Sequence, residues 1–496
     1  MNHKKYLQGA TILGVVIALS FSQGCKKSFL DTASSNGSVK STQFWKTQAD
    51  ATSAVNAMYA DLHNWNDIAF ASIAVESMGS DDITKGSVPT DASFMNEYIN
   101  FSVTAGEGQL DGFWSGMYAN INFANQILDN VPAINMDASL KARYLAEAKF
   151  IRAYDYFRLV RAFGNITLRL HPPKTTADFN LPQVPAAQVW AQIETDLTDA
   201  AGVLPTTYSN ADIGHVTKGA ALALHAKVSL YQKKWSDAAN YSNQVIALGI
   251  YSLFPNYEKM FRTQNKNNSE SIFEIQNMLI PNNPAASNSQ YSQVQMPRVT
   301  EAAGGWGFND PSPSLIAAFE AGDPRLKGTV IYTGQTTPEG DMIDASAPDP
   351  YYNLKSYVPF AEYVSGYNQG CQQDKMVLRY ADVLLMNAEA NNELGNSTVA
   401  LTALEQVRAR ARAGNNAILP TVTTTDQTAL RTAIQHERRV ELGMEFERHF
   451  DVIRWGLGTQ IFGPQGFVAG KNELWPIPQT EIDLSGGLLK QNPGYN

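Results

Sequence analysis

Apolar positions recur at helical spacing along most of the chain. In "TQADATSAVNAMYADLHNW" (47–65), Ala51, Val55, Met58 and Leu62 fall on one stripe. "DGFWSGMYANINFANQILDNV" (111–131), "SLKARYLAEAKFIRAYDYFRLVRAF" (139–163) and "AAQVWAQIETDLTDAAGVL" (186–204) show the same period, the last through Val189, Ile193 and Leu197. Each spacing predicts an amphipathic helix. Residues 215–249 add a second kind of signal. Small residues at Ala220, Ala223 and Ala226 precede Leu230-Tyr231, then a short break, then "WSDAA" and another apolar stripe. Small side chains where two helices touch, with bulky ones beyond, resemble a tetratricopeptide helix–turn–helix. Residues 374–411 repeat the scheme through Ala381, Leu385, Ala388 and Ala390, with "ELGN" at the turn. The expected fold is mainly α, built of packed helical hairpins.

Residues 250–373 break the pattern. Pro, Asn, Gly, Ser and Tyr dominate, "SESIFEIQ" (269–276) and "LKGTVIYTG" (326–334) read as short strands, and "DPSPSLIAAFE" (310–320) reads as a capped short helix. The expected organisation is a helical body (41–249 and 374–460), an irregular insertion (250–373) and a C-terminal segment (461–496). Loop-rich insertions on rigid bodies are where binding residues concentrate.

The first residues read as an export signal. Lys4 and Lys5 precede an apolar run, Ala10 to Phe21, and then "SQGCKK". The run is shorter than the ~20 residues of a membrane span; a short transmembrane anchor is the alternative. Gly24 directly before Cys25 resembles a bacterial lipoprotein signal, which implies cleavage after residue 24, diacylation of Cys25 and attachment to membrane lipid. Ser22 and Gln23 depart from that signal's usual residues. A Ser-rich tether (25–40) would follow. Removing Lys4 and Lys5 takes the formal charge from −9 to −11. The remaining cysteine, Cys371, has neither a CxxC nor a Cys/His spacing. No basic run or aromatic-interleaved basic patch occurs, which argues against a nucleic-acid partner.

Charge is concentrated in "ERRVELGMEFERHFDVIRWG" (437–456), nine charged side chains in twenty positions against 17% for the whole chain. His436-Glu437 begins a zinc-protease HExxH, but Val440 stands where the second histidine is required, so no metal is expected. Glu437, Glu441 and Glu445 suit one face of a helix and would serve a glycosidase if their pKa values were raised. Cations stand beside them instead. Arg438 is three residues before Glu441, Glu445 three before Arg448, and Asp451 three from both Arg448 and Arg454. Neighbouring arginines stabilise the anion, so a structural ion-pair network is expected rather than a proton shuttle.

This segment, with "LWPIPQTEIDLSGGLLKQNPGYN" near the C-terminus, "KMVLRYADVLLMNAEANNELG" and "AKFIRAYDYFRLVRAFGNI", resembles the SusD/RagB family of surface lipoproteins of glycan-utilising Bacteroidota. The resemblance spans essentially the whole mature chain. It implies a right-handed superhelix of four tetratricopeptide-like helix pairs carrying an irregular, ligand-facing half. It also implies a non-catalytic, cofactor-free role. The protein would sit lipid-anchored on the outer membrane, bind oligosaccharide or polysaccharide, and deliver it to a SusC-like, TonB-dependent barrel. Peptide cargo on the same fold is the alternative, and a glycoside hydrolase the third reading.

A sugar-binding face needs flat rings against pyranose C–H faces and amides or carboxylates for hydroxyls. "EAAGGWGFNDPSP" (301–313) offers Trp306 among glycines, with Asn309 beside it, and in the family an aromatic in this segment is implied at the ligand site. Asp81, Asp82, Phe94 and Tyr98 in the loop 77–101 are further candidates, as are Trp65 and Tyr291. Trp45, Trp114, Trp190, Trp235, Trp455 and Trp475 fall in patterned segments and are expected in the core.

Overall fold

A computed structural model describes residues 44–278, 290–298, 304–362 and 372–495. The export signal 1–24, Cys25, the tether 25–40 and Cys371 lie outside the described residues. Among the described residues the long helices of the body are α1 (Gln48–Asp61), α2 (Gly108–Asn130), α3 (Ala138–Phe163), α4 (Ala186–Val203), α5 (Lys218–Tyr231), α6 (Trp235–Ala247), α7 (Tyr380–Glu393), α8 (Ser397–Arg412) and α9 (Gln427–Leu442). From α2 to α8 each packs on the next, and α9 lies against α7, giving one continuous file of hairpins. Side-chain caps set their starts. Asp137 accepts from the Leu140 amide ahead of α3 and Thr217 from that of Ala220 ahead of α5. Ala220, Ala223, Ala226, Ala381, Ala388 and Ala390 are all fully buried, and the hairpins close on these small side chains.

The 374–411 stretch departs from the helical expectation at its start: Lys375–Arg379 is a strand, not helix. It pairs antiparallel with Ser271–Ile275, inside the expected strand 269–276. Val330–Tyr332 is the second expected strand and pairs with Tyr351–Asn353. The 310–320 helix forms as Pro313–Ala318, with Ser312 capping Leu315 N and proline in its first turn. A further strand, Ile83–Gly86, lies in the segment read as a loop, and it pairs antiparallel with Phe308–Pro311. The irregular half is therefore woven from 77–101 as well as from 250–373.

The charged segment is a buried network that joins the two halves. α9 ends at Leu442, Met444 and Phe446 adopt positive φ, and helix α10 runs Arg448–Arg454. Asp451 and Arg454 pair at 2.8 Å, as their spacing suggests. The other local pairs do not form. Arg438 reaches Asp382 and Asp451 instead of Glu441. Glu441 binds Arg379 at 2.6 Å, Arg325 at 3.0 Å and also Arg410. Glu437 takes Arg325 and Arg408. Glu445 takes Lys355 and Arg379, and Arg448 takes Asp81. The turn after Leu442 removes the helical spacing between Glu445 and Arg448, and α9 is wedged between neighbours that bring their own cations. Arg325 and Lys355 come from the insertion, so the network clamps it to the body. Burial alone would raise the Glu441 carboxyl, but Arg410, Arg379 and Arg325 hold it well below the usual range.

The C-terminal segment closes the core around Trp475, whose Nε1 donates to Val75 O. His449 stacks on that ring at 5.1 Å and hydrogen-bonds the Gly79 carbonyl at 2.6 Å. Burial lowers its pKa from 6.5 to about 4. The neutral form is the folded one, so this contribution is complete above pH 6.5 and is lost as pH falls towards 4. At pH 5 the loss is on the order of 2 kcal/mol. Urea unfolding at pH 7.5 and 5 should show that slope in the wild type and a flatter one in His449→Asn; equal slopes would refute it.

Among the described residues no helix is long and apolar enough to cross a membrane, and no cluster of three His, Cys, Asp or Glu side chains suits a metal ion.

Candidate ligand-binding cleft

The segment 64–73 is two helical turns broken at Ala69. Asn64 Oδ1 accepts from the amides of Asn66 and Asp67, capping Trp65–Ile68, and Ala69 (φ −109°, ψ −129°) interrupts before Phe70–Ile73. On an unbroken helix, residues five apart point in different directions. The break instead stacks Trp65 on Phe70, centroids 5.0 Å apart and planes within 22°. Asp67 is buried and anchors this turn to the body through Arg158 and Asn120.

Trp306 reaches the same place from the irregular half. Its amide donates to Gln293 O, and that of Gly307 donates to Met296 O. Gly305 sits so close to this backbone that a Cβ would lie 2.4 Å from Pro297 O. The indole stands 5.6 Å from Phe70 and 5.9 Å from Trp65, and Phe308 and Phe94 lie 5.1 and 6.4 Å from Phe70. Phe70, Trp306 and Phe308 line an open cleft of about 730 Å³ whose other walls are Val88, Asp91, Arg298, Gly304 and the 344–348 segment without Ala345.

Lys85 braces the wall at Val88 and Asp91 without lining the cleft itself. Its ammonium donates to the carbonyls of Gly86, Val88 and Asp91 at 2.7–2.9 Å and lies over the Phe308 ring. At the rim Arg298 pairs with Asp91 at 2.5 Å and donates to Ser87 Oγ. Asp344 accepts from the Ser346 amide and hydroxyl, which lowers its pKa. Asp310 and Asp349 behave oppositely: burial raises Asp310 well above the carboxylate range and Asp349 to about 6. Neither lines the cleft.

Of the sequence-nominated residues, Trp306, Trp65 and Phe94 are brought together here, all half-buried. The others take scaffold positions. Asn309 is fully buried within the Phe308–Pro311 strand, accepting from Ser77 Oγ and donating to Gln295 Oε1, so its amide is used by the scaffold. Asp81 is tied to Arg439 and Arg448, and Asp82 to Arg439. Tyr98 is buried against Trp475 with its hydroxyl on Glu107, and Tyr291 is buried beside Phe446. Sequence spacing missed Phe70 and Phe308, which sit among apolar neighbours with nothing to distinguish them from core. Of the tryptophans expected inside, Trp114 and Trp475 are buried, whereas Trp45, Trp190, Trp235 and Trp455 are half-buried against the core. A second cavity of about 520 Å³ borders α2 and the C-terminal segment, with Tyr118, Leu181 and Leu484 on its walls. Trp114 and Tyr118, with centroids 5.1 Å apart and planes tilted by 41°, line it together.

A helical-hairpin body presenting an aromatic cleft on an irregular half defines a class of binding scaffold. The comparisons place the chain within it. The model of the SusD family matches residues 269–495, and a second, described as starch-binding associating with outer membrane, matches 28–230. A laminarin-binding SusD-like protein of known structure is 30% identical, superposes with a TM-score of 0.79, and is matched over 91% of this chain and 100% of its own. SusD-like protein P2 of Formosa agariphila is 28% identical over 91% of this chain and 94% of its own. Surface glycan-binding protein A of Bacteroides thetaiotaomicron, solved with laminarihexaose, shares the fold at 22% identity (TM-score 0.76, 90% and 100% covered). The chain belongs to the SusD/RagB family.

Proposed function

We propose that this protein binds oligosaccharide or polysaccharide in the Trp65–Phe70–Trp306 cleft and hands it unaltered to a SusC-like, TonB-dependent outer-membrane barrel. An acylated Cys25 would hold it at the cell surface. The observation that carries the reading is the cluster of Trp65, Phe70 and Trp306, of which Phe70 and Trp306 line the cleft, because aromatic faces cover the apolar faces of sugars. Family membership and the laminarin-binding relative support it. A non-catalytic role is supported by Glu437, Glu441 and Glu445, which arginines hold in a buried network away from the cleft.

Laminarin is the first polymer to test, by affinity electrophoresis and calorimetry, with a peptide panel in parallel. Binding of laminarin or another glycan without release of reducing sugar is expected. Reducing-sugar release would overturn the non-catalytic reading, and peptide binding alone would overturn the glycan one. Cys25→Ala should move the protein from the membrane to the soluble fraction of its cells; continued membrane association would favour a transmembrane anchor.

A further inference from the structure

The electrostatics of the cleft say more about its ligand than its rings do. Among the described residues lining it, Arg298 is the one cation, and Asp91 occupies it at 2.5 Å. The Lys85 ammonium is buried beneath Phe308 and engaged by three carbonyls, so it does not face a ligand. Asp344 also lines the cleft and is exposed, and its hydrogen bonds from Ser346 are of the kind that favour a carboxylate. The lining thus carries Asp91 and Asp344 against a single Arg298. The internal segments outside the description bring no compensation, because 279–289, 299–303 and 363–371 contain no lysine or arginine. The whole chain is also net acidic.

We propose that the cleft selects uncharged glycans and rejects polyanionic ones, such as uronate-bearing or sulfated chains, with Asp91 and Asp344 setting that preference. The inference rests on the cleft being the glycan site. Coulomb repulsion across a water-exposed cleft is modest for one pair, but an anionic polymer presents a charge on successive residues, so the effect accumulates. Arg298 is partly neutralised for the role that arginine plays in carboxylate or sulfate recognition, since its Nη1 donates to both Asp91 and Ser87.

The test compares laminarin with carboxymethylated laminarin, which share a backbone and differ in charge. Wild-type protein should bind the neutral polymer about fivefold to tenfold more tightly at low salt. The ratio should fall towards one in 0.5 M NaCl, where the Debye length is about 4 Å. Asp344→Asn should lower the low-salt ratio, and Asp91→Asn should lower it further by freeing Arg298. A purely structural role for either residue would change both affinities together and leave the ratio intact. Equal binding of the two polymers by the wild type, or ratios insensitive to salt and to both substitutions, would overturn the proposal. Failure of the wild type to bind either polymer or any other glycan would instead bring down the glycan reading on which it rests.

Discussion

Replacing Glu441 with alanine is expected to cost about 3–5 kcal/mol of folding stability, the largest effect of any substitution considered. The carboxylate is fully buried and accepts from Arg325, Arg379 and Arg410. Each arginine has a further acidic partner, Arg325 on Glu437, Arg379 on Glu445 and both Arg379 and Arg410 on Glu270. Removing Glu441 takes one charge-assisted hydrogen-bond acceptor from each of the three buried arginines at once. The same change opens the junction between the insertion and the helical body. Glu441→Gln keeps the shape and separates the charge from the volume; it should still lose more than half of that amount. Denaturation in urea measures both. Wild-type stability in either variant would show that the network is dispensable.

Trp306→Ala should weaken glycan binding by about 1–3 kcal/mol, roughly 5- to 150-fold in Kd, while leaving the melting temperature close to that of the wild type. The indole is half-buried beside Trp65 and Phe70, and its backbone is held by Gln293 independently of the ring. Loss of the ring removes a wall of the cleft and little of the main core. Phe70→Ala offers the contrast: that ring contacts four others, so binding and stability should fall together. A collapsed melting temperature in Trp306→Ala would make the indole a core residue and move the site elsewhere.

Much of the architecture could be read in one dimension. Helical hairpins announce themselves through a local period and through alanines at close contacts, and both act within a few residues. The ordered blocks at 148–166, 375–395, 437–456 and 474–496 carried the family.

The partners in the charged segment were decided elsewhere. Local spacing coupled Arg438 to Glu441, but in a buried setting an acid takes whichever cation the neighbouring element supplies, and Arg325, Arg379 and Arg410 lie 31–116 residues away. The cleft was decided in the same way. Trp306 was visible because glycines flank it, whereas Phe70 reads as one more apolar position until the break at Ala69 turns it against Trp65. Asn309 and Tyr98 looked like ligand groups and are buried: the Ile83–Gly86 strand, hidden in a polar segment, pairs with 308–311, and Tyr98 packs on Trp475. What the sequence determined alone was what its local and ordered signals carry: the helices and the family. Only the tertiary structure decided which side chains meet, because ion pairing and aromatic contact depend on distance in space, and the chain brings together residues that no local period relates.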